Sequence, residues 1–332
     1  NNLKMKNFHY LIKKIKDAQI SEDPFPHIYI ENFFEENDFH EIINSSGIKT
    51  PEFESDQEMF ERLFALGYKI IDFPGCITSE EEYISWHKNK DISHRSNSSC
   101  ESFGLTLRLM HPESSILQDL KTFIESAEFS KTLANKFDIS VNNVNADNGI
   151  QKYLDGYEIS PHPDVRKKAL TYMININPNI NSEKFTQHTH YLKLKDKYQY
   201  VESFWEGNPN VERCWVPWDW CDSSFIQAKN NSLVMFSPSC STIHAVKADY
   251  DHLQGQRTQL YGNLWYKEVS MLKKVDWESL DLHNKQSYSI EPSKLNFLFD
   301  APSKIASRIK RTFLKDNLSN YEKIERQPDD YK

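Results

Sequence analysis

Apolar residues recur at helical spacing through roughly the first 140 residues of the chain. Within residues 1–20, one predicted helical face carries Phe8, Leu11, Ile12 and Ile15. Further helices are predicted on the same grounds: one with Phe39, Ile42 and Ile43, one over 57–66, one after the capping box Ser79–Glu82, and one over 115–136. Short strands are predicted only at His27–Ile30 and Gly104–Leu109, so this part is expected to be mainly helical.

The pattern changes near Val144, where short β-rich runs replace the helical spacing. The runs are G-I-Q-K-Y-L, A-L-T-Y-M-I-N-I-N, H-T-H-Y-L-K-L, S-L-V-M-F-S and R-T-Q-L-Y-G-N-L-W-Y. Turn residues such as D-G, N-P-N and K-N-N separate them. This pattern is typical of an antiparallel sandwich or barrel.

The chain of 332 residues is long enough for one large domain or two ordinary ones. We predict a single domain over 1–332 with three parts. A mainly helical buttress covers 1–143, a β core covers 144–268, and a helical extension covers 269–332.

Charge and cysteine content narrow the range of functions. The net charge of −8 argues against sequence-independent nucleic-acid binding, which requires a basic surface. No apolar run approaches the ~20 residues of a membrane span, and the first residues show no apolar signal segment. The five cysteines are odd in number and form no C-x-x-C pair, which favours a reducing, cytoplasmic location. The oligomeric state is not indicated.

The first candidate chemistry lies in G-Y-E-I-S-P-H-P-D-V-R. In a strand, residues i and i+2 point to the same face, so His162 and Asp164 can aim at one point while Pro163 faces away. An imidazole and a carboxylate placed in this way make two adjacent metal ligands. The alternative is a solvated turn between Pro161 and Pro163.

The best third ligand is His244, which follows the apolar strand Leu233–Phe236 through a turn. With His162 and Asp164 it would complete a 2-His-1-carboxylate facial triad, a set that leaves open positions on a ferrous ion. Arg257 follows thirteen residues later and opens another β run. On an inward face it needs an anionic partner, and a bidentate carboxylate is the natural one, whereas on the surface it would form a salt bridge.

The order H-x-D, then a distant His, then an Arg on the next strand resembles the 2-oxoglutarate/Fe(II)-dependent oxygenase superfamily. Residues 145–266 resemble its double-stranded β-helix core, and P-F-P-H-I-Y-I-E-N-F-F is similar to the entry of its prolyl-hydroxylase-like branch. The resemblance implies an α+β fold, with a jelly-roll, cupin-like core and flanking N- and C-terminal helices.

The resemblance also implies roles for individual residues. His162, Asp164 and His244 would hold Fe(II), and Arg257 would bind the distal carboxylate of 2-oxoglutarate. Tyr153 is a second candidate contact to that carboxylate, or else a packed aromatic residue. The implied reaction consumes O2, hydroxylates a C–H bond of a small molecule or peptidyl residue, and releases succinate and CO2. The usual Arg-x-Ser/Thr pairing is replaced by R-T-Q, which shifts the hydroxyl by one position.

Two other functions remain open from the sequence. One is a non-catalytic, cupin-like barrel that binds or senses a metal. The other is a metal enzyme that does not use 2-oxoglutarate. Arg257 argues against the first, because a binding module does not need a carboxylate anchor beside the metal. The second predicts metal binding without cosubstrate binding.

Three further features have two interpretations each. His188 and His190 are rival ligands or pocket residues, or else lie on the outer sheet. The Trp-rich segment 204–221 forms a lid that binds substrate by stacking, or a satellite cluster beneath a loop; it contains Trp205, Trp215, Trp218 and Trp220. The basic amphipathic stretch with Ile305, Ile309 and Phe313 touches a membrane or an acidic partner, or docks on its own domain.

Overall fold

Two antiparallel sheets form the centre of the fold in the computed structural model, which describes residues 6–72, 76–89, 104–209, 211 and 213–268. The strands are β1 (Ile28–Glu31), β2 (Tyr68–Ile70), β3 (Thr106–Leu109), β4 (Val144–Tyr153), β5 (Glu158–His162), β6 (Lys168–Asn175), β7 (Thr189–Leu194), β8 (Cys221–Ile226), β9 (Ser232–Phe236), β10 (His244–Lys247) and β11 (Arg257–Tyr266). The helices are α1 (Tyr10–Asp17), α2 (Glu36–Ile43), α3 (Asp56–Ala65), α4 (Glu80–Asn89), α5 (Ser115–Ile124), α6 (Ala127–Lys136) and α7 (Tyr200–Gly207).

The larger sheet has seven strands in the order β1-β9-β6-β11-β4-β3-β2, and the smaller has four in the order β5-β10-β7-β8. The strands from β4 to β11 are divided equally between the two sheets, and the chain passes repeatedly from one sheet to the other. This arrangement is consistent with a jelly roll. The predicted mixture of helices with an antiparallel β core is confirmed.

The N-terminal part contributes strands as well as helices. Strands β1, β2 and β3 extend the larger sheet at its two edges, and β2 was absent from the sequence prediction. The predicted single helix over 115–136 is wrong, because α5 and α6 are separate. The hydroxyl of Ser126 accepts a hydrogen bond from the backbone N–H of Phe129 and so caps a new helix start.

Strand β11 shows how the sheet divides its side chains between two environments. Leu260 and Leu264 belong to a core cluster that includes Leu117 and Phe129 of the helical layer. Arg257 and the other odd-numbered residues of β11 alternate to the opposite face, because successive side chains of a strand point to opposite sides. The larger sheet therefore offers an apolar face to the helices and a polar face to the candidate site.

Lys152 on β4 is completely buried between the larger sheet and the N-terminal layer. Its ammonium donates hydrogen bonds of 2.8 Å to the carbonyl oxygen of Ile48 and to the hydroxyl of Thr258. Thr258, the residue directly after Arg257, therefore directs its hydroxyl to the face of β11 opposite Arg257. This contact accounts for the shifted position of the hydroxyl in R-T-Q.

Burial lowers the pKa of Lys152 from its ordinary value of 10.5 to about 7. Between these two values the unfolded chain binds a proton that the folded chain does not, so stability rises with pH. We expect the free energy of unfolding of the wild type to rise from about pH 7 to about pH 8.5 relative to Lys152→Met, by at most about 1.4 kcal/mol per pH unit. Urea denaturation at several pH values measures this difference.

The matched control is Lys69→Met, which removes an exposed lysine from β2. This variant should keep the pH dependence of the wild type. If the free energy of unfolding changed equally with pH in the wild type and in Lys152→Met, the proposed contribution of the lowered Lys152 pKa would be contradicted.

Candidate metal centre

His162 and His244 come from two paired strands of the smaller sheet. His162 ends β5, His244 begins β10, and the two residues are directly opposite in register, with ring centroids 4.3 Å apart. The Nδ1 atoms lie 2.8 Å from the carbonyl oxygen of Ser160 and 2.9 Å from that of Thr242, respectively. Because a carbonyl only accepts, each Nδ1 carries a hydrogen, which leaves Nε2 of each ring as the atom that could face a metal.

Asp164 brings its carboxylate to both Nε2 atoms, although not by the route that strand alternation predicts. It lies beyond the end of β5 and has a positive φ of 73°. This left-handed conformation is uncommon for a residue other than glycine, and such strain clusters at functional sites. One carboxylate oxygen lies 3.5 Å from the Nε2 of His162, and the other lies 3.8 Å from the Nε2 of His244.

The carboxylate of Asp164 is buried and held from both sides. Its Oδ1 accepts a hydrogen bond of 2.8 Å from Lys168, and its Oδ2 accepts one of 2.7 Å from the hydroxyl of Thr171. Burial by itself would raise the pKa of Asp164, but Lys168 and the two histidines hold that pKa well below its ordinary value. Burial, followed by the charge of His162, lowers the pKa of His244 to about 3. The group therefore consists of an ionised carboxylate and a neutral imidazole at His244.

A second group of similar composition contains Asp56, His87 and His252. In this group the carboxylate of Asp56 lies 2.7 Å from Nδ1 of His87 and 2.7 Å from Nε2 of His252. The Nδ1 of His252 accepts a hydrogen bond from the backbone N–H of Asp155, so its Nε2 carries a hydrogen and donates to Asp56. This second group is a hydrogen-bonded network that ties α3 and α4 to the loop before β11.

The spacing distinguishes the two groups chemically. The distances of 3.5 and 3.8 Å at Asp164 are longer than the ~3.2 Å limit of ordinary hydrogen bonds. They suit donor atoms that share one ion, since each such atom lies about 2 Å from the metal. Two imidazole nitrogens and one carboxylate are a donor set that fits Fe(II).

Arg257 opens β11 and is buried, with a relative exposure of 3%. Its Nη2 donates a hydrogen bond of 3.1 Å to the hydroxyl of Thr189, and its guanidinium carbon lies 4.6 Å from the centre of the Tyr153 ring. Among the residues that the structure describes, no carboxylate forms an ion pair with Arg257. The guanidinium is therefore a buried cation with open donor positions.

Strand β7 relates Arg257 to the histidine–aspartate group. Thr189, the partner of Arg257, is two residues before Tyr191, which lies opposite His244 in register and whose ring centroid is 6.5 Å from that of His244. Residues two apart in a strand share a face and lie roughly 7 Å apart. The guanidinium and the histidine–aspartate group thus meet the same face of β7.

Tyr153 supports Arg257 from strand β4, and the two residues are paired in register. The Tyr153 hydroxyl lies 2.5 Å from the side-chain amide of Gln151. With the amide oxygen turned toward Arg108, the amide nitrogen donates to this hydroxyl. The hydrogen of the Tyr153 hydroxyl can then be donated to an anion beside Arg257.

The two alternative ligand histidines, His188 and His190, lie apart from the group formed by His162, Asp164 and His244. His188 is buried, with Nε2 2.9 Å from the carbonyl oxygen of Ser182, and burial followed by the charge of Arg257 lowers its pKa to about 4. His190 lies on the outer face of the smaller sheet, where its ring meets that of Trp218 at 5.5 Å. Neither residue belongs to a metal-binding group in the described part of the chain.

The Trp-rich segment packs mainly on the outside of the smaller sheet. Trp218 and Trp220 contact a cluster that contains Leu192 and Ala245, and Ala245 alternates with His244 to the opposite face of β10. These two tryptophans therefore form the satellite cluster and not a lid. Trp205 lies elsewhere, against the guanidinium of Arg166 at 3.7 Å. The basic stretch near Ile305 lies outside the described residues.

Two residues that hold Asp164 carry no recognisable signal in the sequence. Lys168 lies four residues after Asp164, at the start of β6, and Thr171 lies three residues further along the same strand. A lysine near the start of an apolar strand is usually solvated, so no local signal marked Lys168 as partly buried. Only the pairing of β6 with β11 places it against Tyr261 and Asp164.

Comparison with known proteins gives structural likenesses only. No protein-family model and no curated protein matches the chain. A Pseudomonas putida prolyl-4-hydroxylase is similar over 78% of this chain and 98% of its own, with 8% identity and a TM-score of 0.39. A Trichoplax adhaerens prolyl hydroxylase, solved with a peptide fragment of hypoxia inducible factor, is similar over 77% and 86%, with 12% identity and a TM-score of 0.34.

A 2OG-Fe(II) family oxygenase from Burkholderia pseudomallei is similar over 65% of this chain and 93% of its own, with 9% identity and a TM-score of 0.25. Identities this low leave the chemistry to be judged from the residues of the site. No helix among the described residues has the length and apolar character needed to cross a membrane.

Proposed function

We propose that this protein is an Fe(II)- and 2-oxoglutarate-dependent dioxygenase. It would hydroxylate a C–H bond of a small molecule or peptidyl residue and release succinate and CO2. Fe(II) would be held by His162, Asp164 and His244, and the distal carboxylate of 2-oxoglutarate by Arg257. When bound, the iron and cosubstrate supply the oxidising chemistry, and the protein supplies binding, orientation and shielding from water.

One observation carries the proposal. The donor set of two imidazoles and a carboxylate, in which Asp164 and His244 are buried and His162 is partly buried, shares one face of β7 with a buried arginine. This arginine has no carboxylate partner among the described residues. An isolated buried charge is costly, and its cost falls when an anion binds there. A dicarboxylate that reaches from the metal to Arg257 would satisfy both groups. A barrel that only binds a metal has no use for this arginine.

The chain's own residues divide the work. The carbonyl oxygens of Ser160 and Thr242 fix the two imidazole rings, so that their Nε2 atoms are aimed before the metal arrives. Thr189 and the ring of Tyr153 fix the guanidinium of Arg257 for a bidentate contact. The Tyr153 hydroxyl would donate a further hydrogen bond to the same carboxylate.

The test is an anaerobic titration of metal-free protein with Fe(II) and then with 2-oxoglutarate, followed in the visible spectrum. We expect one iron per chain and a charge-transfer band that appears only after 2-oxoglutarate is added. This experiment requires no knowledge of the substrate. Substrates are then identified by succinate release that depends on the added compound, and by a product that is heavier by one oxygen atom.

The other outcomes separate the competing functions. Iron binding without the band would favour a metal site that does not use 2-oxoglutarate. The absence of iron binding would refute the proposal and leave His162 and Asp164 as residues of a polar turn.

A further inference from the structure

Lys168 is a partly buried cation in direct contact with the proposed metal-binding carboxylate. Its ammonium lies 2.8 Å from Oδ1 of Asp164 and 3.0 Å from the hydroxyl of Tyr261, and its side chain is 12% exposed. The rings of Tyr261 and Trp265 also lie within 5.7 and 5.6 Å of the ammonium. These contacts on three sides keep the positive charge inside the site.

A positive charge in this position acts on a bound iron ion in two ways. It withdraws electron density from the carboxylate, so that the carboxylate becomes a weaker donor. It also repels the ion directly, and this repulsion is greater for the ferric than for the ferrous charge because Coulomb energy scales with the product of the charges. Both effects act in the same direction, since a weaker donor and a nearby cation disfavour the ferric state more than the ferrous state.

We propose that Lys168 is a redox-tuning residue: its ammonium, held against the carboxylate of Asp164, favours the ferrous over the ferric state of the bound iron. The inference rests on the proposed function, because it requires iron at this group. The redox couple is ferric/ferrous iron, in which oxidation removes one electron from the ferrous ion. No bond of the protein is broken. A 2-oxoglutarate-dependent site needs ferrous iron, so such a cation would protect the resting protein from oxidation.

Thr171 provides a matched control within the same carboxylate. It holds Oδ2 through a neutral hydroxyl at 2.7 Å, whereas Lys168 holds Oδ1 through a charge at 2.8 Å. Thr171→Val removes a hydrogen bond without removing a charge. Lys168→Gln removes the charge but keeps an N–H donor, and Lys168→Arg keeps the charge.

The experiment is an anaerobic spectroelectrochemical redox titration of the iron-loaded protein in the presence of 2-oxoglutarate. It gives the midpoint potential of the ferric/ferrous couple. We expect Lys168→Gln to lower this potential by about 59 mV or more, which corresponds to a tenfold gain in ferric over ferrous binding for a one-electron couple. Lys168→Arg and Thr171→Val should stay closer to the wild type than to Lys168→Gln. Lys168→Met should lower the potential in the same direction as Lys168→Gln, and circular dichroism confirms the fold of each variant.

A role of Lys168 in structure alone predicts a different pattern. Thr171→Val would then shift the potential as much as Lys168→Gln, or Lys168→Gln would keep the wild-type potential, and either result overturns the redox role. If the wild type shows the 2-oxoglutarate band and only the effect of Lys168 is absent, the proposed function stands and this inference fails. If the wild type binds no iron, both fail together.

Discussion

Asp164→Ala should weaken Fe(II) binding by roughly 100-fold or more, since even the partners of metal ligands typically contribute 10–100-fold. The variant loses the only carboxylate of the group and leaves His162 and His244 as its two remaining donors. It also leaves the ammonium of Lys168 without the carboxylate oxygen at 2.8 Å, so that its charge beside the metal is no longer compensated. The 2-oxoglutarate band should disappear as well. Anaerobic Fe(II) titration and metal analysis after gel filtration measure both effects.

The second histidine–aspartate group offers the control. Asp56→Asn removes a carboxylate that lies 2.7 Å from both His87 and His252, so the chemical change is comparable. Because that group is a hydrogen-bonded network, Asp56→Asn should lose stability but keep one iron per chain. Loss of iron in Asp56→Asn, with full binding in Asp164→Ala, would transfer the metal site to the second group.

Arg257→Ala should raise the dissociation constant for 2-oxoglutarate by roughly 100-fold while leaving Fe(II) binding nearly unchanged. The estimate follows from the ~3 kcal/mol that is lost when one partner of a buried charge pair is removed. Iron is spared because Arg257 contacts Thr189 and Tyr153 and none of the three proposed ligands. Titration of the iron-loaded variant with 2-oxoglutarate, followed by the visible band, gives the constant directly.

Arg257→Lys tests whether the geometry of the guanidinium matters in addition to its charge. Lysine keeps the charge but lacks the planar fork that binds a carboxylate through two parallel hydrogen bonds. We expect this variant to fall between the wild type and Arg257→Ala. An unchanged 2-oxoglutarate titration in Arg257→Ala would remove Arg257 from its proposed role and favour a metal site that functions without this cosubstrate.

The elements of the site were visible in the sequence because their signals are local. The alternation on β11 placed Arg257 at the start of a strand, and the apolar strand Leu233–Phe236 pointed to His244 after its turn. Helix spacing likewise predicted α1, α2 and α3 through residues such as Leu11, whose side chain is buried. Such patterns depend on which face a residue takes relative to its neighbours along the chain.

Other parts of the site depend on contacts between distant residues, and the sequence could not specify them. Strand alternation predicts that His162 and Asp164 converge because they share one face of a strand. In the structure they converge because Asp164 has a positive φ beyond the end of β5. The shifted hydroxyl of Thr258 became understandable only through its contact with Lys152 across the strand pair β4–β11. From the sequence, Trp218 and Trp220 are as compatible with a lid as with a cluster, and only the packing of the smaller sheet places them on its outer face.

The sequence by itself determined the residue types of the site, their order along the chain and the β character of the region that carries them. The tertiary structure decided that His162 and His244 face each other, that Lys168 forms an ion pair with Asp164, and that Arg257 has no carboxylate partner among the described residues. The physical reason is that periodicity fixes the face of a side chain within its own element. Strand register and burial arise from pairings between segments far apart in the chain, and those pairings decide which charges meet.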